Sequence, residues 1–446
     1  MTKSLPSYKH IFLLSFPIML GSAAQNIIAI SDSVFLYHLS EDDFAAIGFV
    51  SVFYLVINAI GFGFSKGGQI MIARRYGERE YAQAGKTFRA LVVFELLLAS
   101  LMFLFIWLGT PVLFKYLVQS DIIYEKSLEY LVHRSWGVFF AYSGLCIIAL
   151  YMGISRSKFI IYDTLVLAGV NIFLDYVLVY GKLGFPAMGI KGAGLASSSA
   201  EVVAIVIFAI YMISDRKIKP LKVFHFTGIS LQLIKDELRI SFPIVIQYAV
   251  SVGSWFVFFS LVEKMGERSL AISNLGRMVY LILSIPCWGF ASGVNTMVSN
   301  AIGQTNNENV LAIILKTAKI SLIFTLLLSI PLVFFPQQIL YPLLGGSDMS
   351  LIVAAQPILF IIMGILLTFS VSSIYFNGLS GTGATLFALK MQTFTSFIYL
   401  LSLYVIINLL SSTLAWAWSV EIFYWMMIFG LSYYYLKSGK WKEMRV

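Results

Sequence analysis

Runs of twenty or more mostly apolar residues recur from one end of this 446-residue chain to the other, and twelve can be marked. They cover 11–39, 45–72, 88–115, 131–152, 159–181, 188–213, 238–262, 269–299, 310–335, 351–377, 385–410 and 413–436. A helix needs about 20 such residues to cross the hydrocarbon core of a bilayer, where every backbone N–H and C=O must be satisfied within the segment. The expected fold is therefore an all-α integral membrane protein of twelve transmembrane helices. With 59% hydrophobic and 12% charged residues, too little charge is left to cover a water-exposed surface of this size, which sets soluble enzymes aside. The first run is too long for a cleaved signal peptide and has no small-residue cleavage pattern before Asp32, so it is expected to be retained.

The formal charge of +9 follows the membrane map rather than a nucleic-acid pattern. With both termini placed in the cytoplasm, 17 of the 31 basic residues fall in the inner tails and connections between these spans and 4 in the outer ones. That is the bias expected of basic residues on the cytoplasmic side. Pairs such as Arg74-Arg75 and Arg216-Lys217 are read as topology signals, and no nucleic-acid partner is expected. Cys146 and Cys287 lie in apolar spans and are read as buried thiols.

The chain also repeats itself. Ser15-Phe16-Pro17-Ile18 returns as Ser241-Phe242-Pro243-Ile244, an offset of 226, and the same offset pairs Gly63-Phe64 with Gly289-Phe290 and Gly77 with Gly303. Glu201 pairs with Glu421 at 220. Each half holds six spans, so both enter the membrane in the same sense, as two parallel six-helix repeats. The expected organisation is an N-lobe over 1–213, a cytoplasmic linker over 214–237 and a C-lobe over 238–446. The linker mixes Lys217, Lys219, Lys222 and Lys235 with Phe224, Phe226, Leu231 and Ile234, a composition suited to the inner membrane surface. Repeated bundles around a central site are the architecture of alternating-access transporters. No Walker-type loop is present, so uphill transport would draw on an ion gradient.

Charged groups inside spans cost about 2.5–3.5 kcal/mol each on insertion scales, which makes retained ones functional candidates. Asp32 and Asp175 lie seven and six residues from the outer ends of their spans, hence at a common depth of roughly 10 Å at 1.5 Å per residue. Ser197, eight residues into span 6, reaches the same level, and Asn171 stands one turn below Asp175. Two carboxylates, an amide and a hydroxyl suit a hard cation such as Na⁺, and two carboxylates in low dielectric also favour holding a proton. The coupling set is Asp32, Asn171, Asp175 and Ser197, with Asp32, Asn171 and Asp175 as the metal ligands if the ion is Na⁺. The repeat places apolar Phe258 and Leu400 opposite Asp32 and Asp175, an asymmetry that a scaffold role does not explain. Glu201, Arg277 and Glu421 are candidates to line a cavity. Glu95 and Asp163, near inner ends, are read as hydrated structural groups, Lys66 as snorkelling to the inner surface, and Arg134 as lying near an outer end.

These segments resemble the multidrug and toxic compound extrusion (MATE) family over nearly the whole chain. The resemblance rests on Ser15 to Ser40 with Pro17 and Asp32, on Gly63 to Gly77 ending Ala73-Arg74-Arg75-Tyr76-Gly77, and on Asn171 to Ala200 with Gly181, Gly184, Pro186, Gly189, Gly192, Gly194 and Ser197. It implies a NorM- or DinF-like cation-coupled antiporter, not an enzyme, exporting organic and cationic amphipathic compounds from the bacterial inner membrane. It also implies no cofactor beyond a coupling ion, Na⁺ or H⁺, and the chain is expected to act as a monomer. In the family, residues matching Asp32, Asn171 and Asp175 belong to the N-lobe cation site, and Ser197 falls where Thr is usual. Some members carry acidic residues in spans 7 and 10; here 238–262 and 351–377 contain none, which points to coupling through the N-lobe alone. The rival reading is a lipid-linked oligosaccharide flippase of the same wider superfamily, for which Arg277 offers one cationic contact.

Overall fold

The computed structural model describes residues 5–225, 231–343, 349–410 and 412–444. Every regular element among them is helical. In chain order they are α1 (Tyr8–Tyr37), α2 (Glu41–Gly77), α3 (Tyr81–Leu104), α4 (Thr110–Leu117), α5 (Asp121–Arg134), α6 (Gly137–Gly153), α7 (Phe159–Tyr180) and α8 (Ile190–Ser214). There follow α9 (Leu231–Glu263), α10 (Glu267–Gly303), α11 (Val310–Phe334), α12 (Pro336–Leu343), α13 (Met349–Gly381), α14 (Thr385–Tyr404) and α15 (Leu414–Ser438). A π-helical turn, Phe105–Gly109, joins α3 to α4 as one continuous span, and a second, Val405–Leu409, extends α14.

Ten helical segments among the described residues are long and apolar enough to cross a membrane, and α5 with α6, bent by 53°, makes an eleventh. With the 30-residue α1 they account for the twelve expected spans. The fourth departs from its expected form. The run 131–152 predicts one helix, whereas the helix starts at Asp121 and breaks at Ser135-Trp136, so that Arg134 ends one segment at the bend.

Short polar connections fix the turn between α1 and α2. Ser40 caps α2 by accepting from the Asp43 N–H at 3.0 Å, and Glu41, Asp42 and Asp43 fill the first turn, where carboxylates favour the helix dipole. Asp43 is held from α5 by Lys126 at 2.7 Å. The repeat survives in the helix ends: α2 and α10 both span 37 residues and stand 226 apart at each end, and α1 and α9 end 226 apart. The last pair differs. The 25-residue helices α8 and α15 stand 224 apart at both ends, so Glu421 matches Ser197, and the pairing of Glu201 with Glu421 is not kept.

The chain divides into two compact units. The first, Leu20–Val245, has one apolar core around Leu36, Val50, Phe114, Tyr130 and Tyr142, and another around Phe88, Leu91, Tyr151, Phe159 and Phe208. The second, Met1–Met19 with Ile246–Val446, is built around Phe258, Leu283, Leu366, Tyr399 and Trp418. Of the connecting stretch, Ile218, Leu221 and Val223 are buried in the first unit, and the Arg89 guanidinium of α3 donates to the Lys222 carbonyl at 2.6 Å. Phe224 and Leu231 are exposed; Phe226 lies outside the described residues.

Candidate functional site

One end of the first unit brings α1, α5, α7 and α8 together. The Tyr180 hydroxyl of α7 donates to the Phe35 carbonyl of α1 at 2.9 Å. Gly181 closes α7 in the left-handed region, and the chain returns as Met188 and Gly189 N–H groups donate to the carbonyls of Leu178 and Val179. Two glycines then let α8 approach backbone directly: a Cβ at Gly192 would lie 2.7 Å from the Leu178 oxygen of α7, and one at Gly194 2.6 Å from the Tyr130 oxygen of α5. Close approach of this kind is how small residues pack membrane helices. It brings Ser197, one turn on, against both α1 and α7.

There the Asn171 amide donates to Ser197 Oγ at 3.1 Å, and Ser197 Oγ donates to Asp32 Oδ2 at 3.3 Å. Asp32 and Asp175 are near enough to interact directly, and Tyr130 lies within electrostatic range of both. Asp175 is fully buried, Asn171 is 1% exposed, and Asp32 and Ser197 are 6% and 7% exposed. Four oxygens in this cluster have no hydrogen-bond partner: Asp32 Oδ1, both Asp175 carboxylate oxygens and Asn171 Oδ1. Buried acceptors left unpaired cost about 1–3 kcal/mol each, more when charged. Two carboxylates and an amide oxygen left without donors at one cluster suit a bound positive charge, either a proton or a small hard cation.

Beside this cluster stands a group that the spacing of the sequence does not bring together. Arg134 forms a two-pronged ion pair with Glu201, one N–H···O distance being 2.7 Å, and its guanidinium lies 4.1 Å over the Tyr54 ring. Both of Glu201's oxygens are thereby occupied, and Arg134 is 7% exposed instead of hydrated at an outer end. The break between α5 and α6 makes the pair possible. Ser198 Oγ donates to the freed carbonyls of His133 and Arg134, and at Gly137 a Cβ would lie 2.0 Å from an Arg134 nitrogen.

Comparison with known proteins identifies the lineage. The family model MatE matches residues 17–177 and 243–406, well over half of the chain and both repeats. The chain belongs to the MatE family. It is accordingly a multi-pass membrane transporter and not an enzyme. Among similar MatE-family proteins are two named "Probable multidrug resistance protein NorM". The one from Thermotoga maritima is 26% identical over 385 residues, covering 85% of this chain and 81% of its own. The one from Synechocystis is 26% identical over 348 residues, covering 75% and 73%. Of the solved structures, an outward-facing multidrug resistance MATE transporter superposes with a TM-score of 0.86 at 20% identity, covering 96% of this chain and 95% of that one. A MATE crystal structure in a bent conformation also gives 0.86 at 20%, covering 96% and 94%.

In this MatE-family chain the remaining charged residues take places the sequence left open or misjudged. Glu95 is fully buried and Asp163 is 5% exposed, so neither has the hydration expected near an inner end. Lys66 is 6% exposed, with its ammonium toward Gln69 at 3.4 Å, and does not reach the surface. Arg277 is exposed, 5.0 Å over the Phe259 ring. Glu421 is buried within the second unit and accepts from the Tyr399 hydroxyl at 3.1 Å and the Trp425 indole at 3.3 Å. Phe258, the repeat counterpart of Asp32, packs edge-on against Trp418 at 5.0 Å. Cys146 and Cys287 are buried free thiols, as read. Sequence reasoning missed Tyr54 and Tyr130: an aromatic at helical spacing looks like core, and only the fold puts a cation or a carboxylate beside it.

Proposed function

We propose that this chain is a cation-coupled antiporter that exports organic, cationic amphipathic compounds by alternating access. It acts as a monomer in a bacterial cytoplasmic membrane, with both termini inside. The export reading is supported by the similar multidrug resistance proteins. The coupling reading is supported by one observation above all: four buried, unpartnered oxygens on Asp32, Asn171 and Asp175, with Ser197 linking Asn171 to Asp32.

With the site empty, two carboxylates oppose each other in low dielectric. A Na⁺ or H⁺ arriving from outside neutralises that repulsion and draws α1 toward α7 and α8. A ligand shifts a conformational equilibrium only by its differential affinity for the two states, and four acceptors that converge in one state supply it. Arg134 does not substitute for the ion, because Glu201 already neutralises it. That neutralisation also argues against an anionic head group at this site.

The test is efflux of ethidium from purified protein in vesicles under a Na⁺ gradient alone and a pH gradient alone. One gradient is expected to drive efflux, and Asp32→Asn and Asp175→Asn are expected to abolish it. Gradient-driven efflux at the wild-type rate by either variant would sink the proposal.

A further inference from the structure

A second buried carboxyl pair stands in the first unit, on helices that do not form the Asp32 cluster. Glu95 of α3 and Glu237 of α9 are fully buried and 1% exposed, and their charges lie within range of one another. Glu95 Oε1 accepts from Ser65 Oγ of α2 at 2.8 Å. Glu95 Oε2 and both oxygens of Glu237 have no hydrogen-bond partner. The segment that carries Glu237 is pressed onto α2: Ser241 Oγ donates to the Phe64 carbonyl at 3.2 Å, and a Cβ at Gly68 would lie 3.1 Å from Glu237 Oε1. The titratable groups facing the pair from α6 are Cys146 and Tyr142, neither of them cationic at neutral pH. Lys66 of α2 points its ammonium toward Gln69.

We propose that Glu95 and Glu237 form a second proton-binding site, separate from the cluster of Asp32 and Asp175. Two ionised carboxylates here would be like charges in an apolar pocket, with three oxygens that no donor reaches. A proton on one of the carboxyls removes the repulsion between them and favours the start of α9 against α2 and α3. A metal cation fits less well. Hard divalent ions take about six or more oxygens, whereas this pocket offers two carboxyls and one hydroxyl that is already donating. Loss of the proton restores both charges, and they separate most readily if α9 leaves α2. The pair thereby ties the packing of α9 to proton occupancy.

The test reads the protonated-carboxyl C=O stretch by infrared difference spectroscopy during a pH titration of the purified protein. The Asp32→Asn/Asp175→Asn background removes the other pair and keeps a failure of the coupling proposal distinguishable. A carboxylic-acid band is expected there at neutral pH, diminished on alkalinisation and diminished once Glu95→Gln and Glu237→Gln are added. An unchanged band in the quadruple variant, or a band displaced by Na⁺ at constant pH, overturns the proposal. Should that variant not fold, wild-type protein treated with dicyclohexylcarbodiimide decides the matter by mass spectrometry. Modification of Glu95 or Glu237 that slows as pH rises supports a proton held by this pair, and modification confined to other residues refutes it.

Discussion

Ser197 Oγ lies 3.3 Å from Asp32 Oδ2 although 165 residues separate them, and the same hydroxyl accepts the Asn171 amide. The serine thus orders a carboxylate and an amide from two other helices. A hydrogen bond to a charged group contributes about 1.5–3 kcal/mol. Ser197→Ala is expected to weaken coupling-ion affinity about 10- to 100-fold, and Ser197→Thr to retain it. Half-saturation for Na⁺ or H⁺ in vesicle efflux measures the difference; equal values for Ala and Thr would refute the role of the hydroxyl.

Asp175→Asn places an N–H₂ donor beside the cluster's unpartnered acceptors. The variant is expected to unfold at a temperature equal to or above that of the wild type, because unpaired acceptors gain a partner. Gradient-driven efflux should be lost at the same time. A thermal unfolding curve in detergent, set beside the transport assay, separates the two effects; a large drop in Tm would mean that Asp175 supports the fold itself.

Arg134 and Glu201 form a buried pair, and removing either partner strands the other. Arg134→Ala or Glu201→Ala is expected to cost about 3–5 kcal/mol, whereas an apolar pair of similar volume, Arg134→Met with Glu201→Leu, should recover most of it. Gly137→Ala should mimic the single losses without touching either charge, since its Cβ would overlap Arg134. Unfolding midpoints of the four variants check this ordering.

Na⁺ and H⁺ would occupy the same four oxygens, so they compete. If Na⁺ is the coupling ion, its stabilisation of the purified protein is expected to shrink as pH falls, because protonated carboxyls no longer attract it. The size of the Na⁺-induced rise in Tm, followed across pH, gives the answer; a pH-independent rise would place Na⁺ elsewhere.

The helix content of this chain was legible without coordinates, because a bilayer leaves the backbone no alternative and apolar runs of sufficient length announce it. The repeat was legible too, and its offset of 226 reappears at both ends of α2 and α10. Asp32, Asn171, Asp175 and Ser197 could be singled out by depth and helical spacing, since a carboxylate within a span is costly enough to need a reason. Periodicity does not encode which of two facing residues a charge meets. The break at Ser135-Trp136 hid inside an apolar run, and only the fold turned Arg134 inward onto Glu201. Likewise Glu95 looked hydrated from its place in α3, until α9 brought Glu237 alongside it. Local chemistry determined where the helices are and which residues are too polar to be there by accident. Partnership between charges depends on helix rotation, kinks and glycine-sized gaps, which are set by packing across long separations in sequence, and the tertiary structure alone decided it.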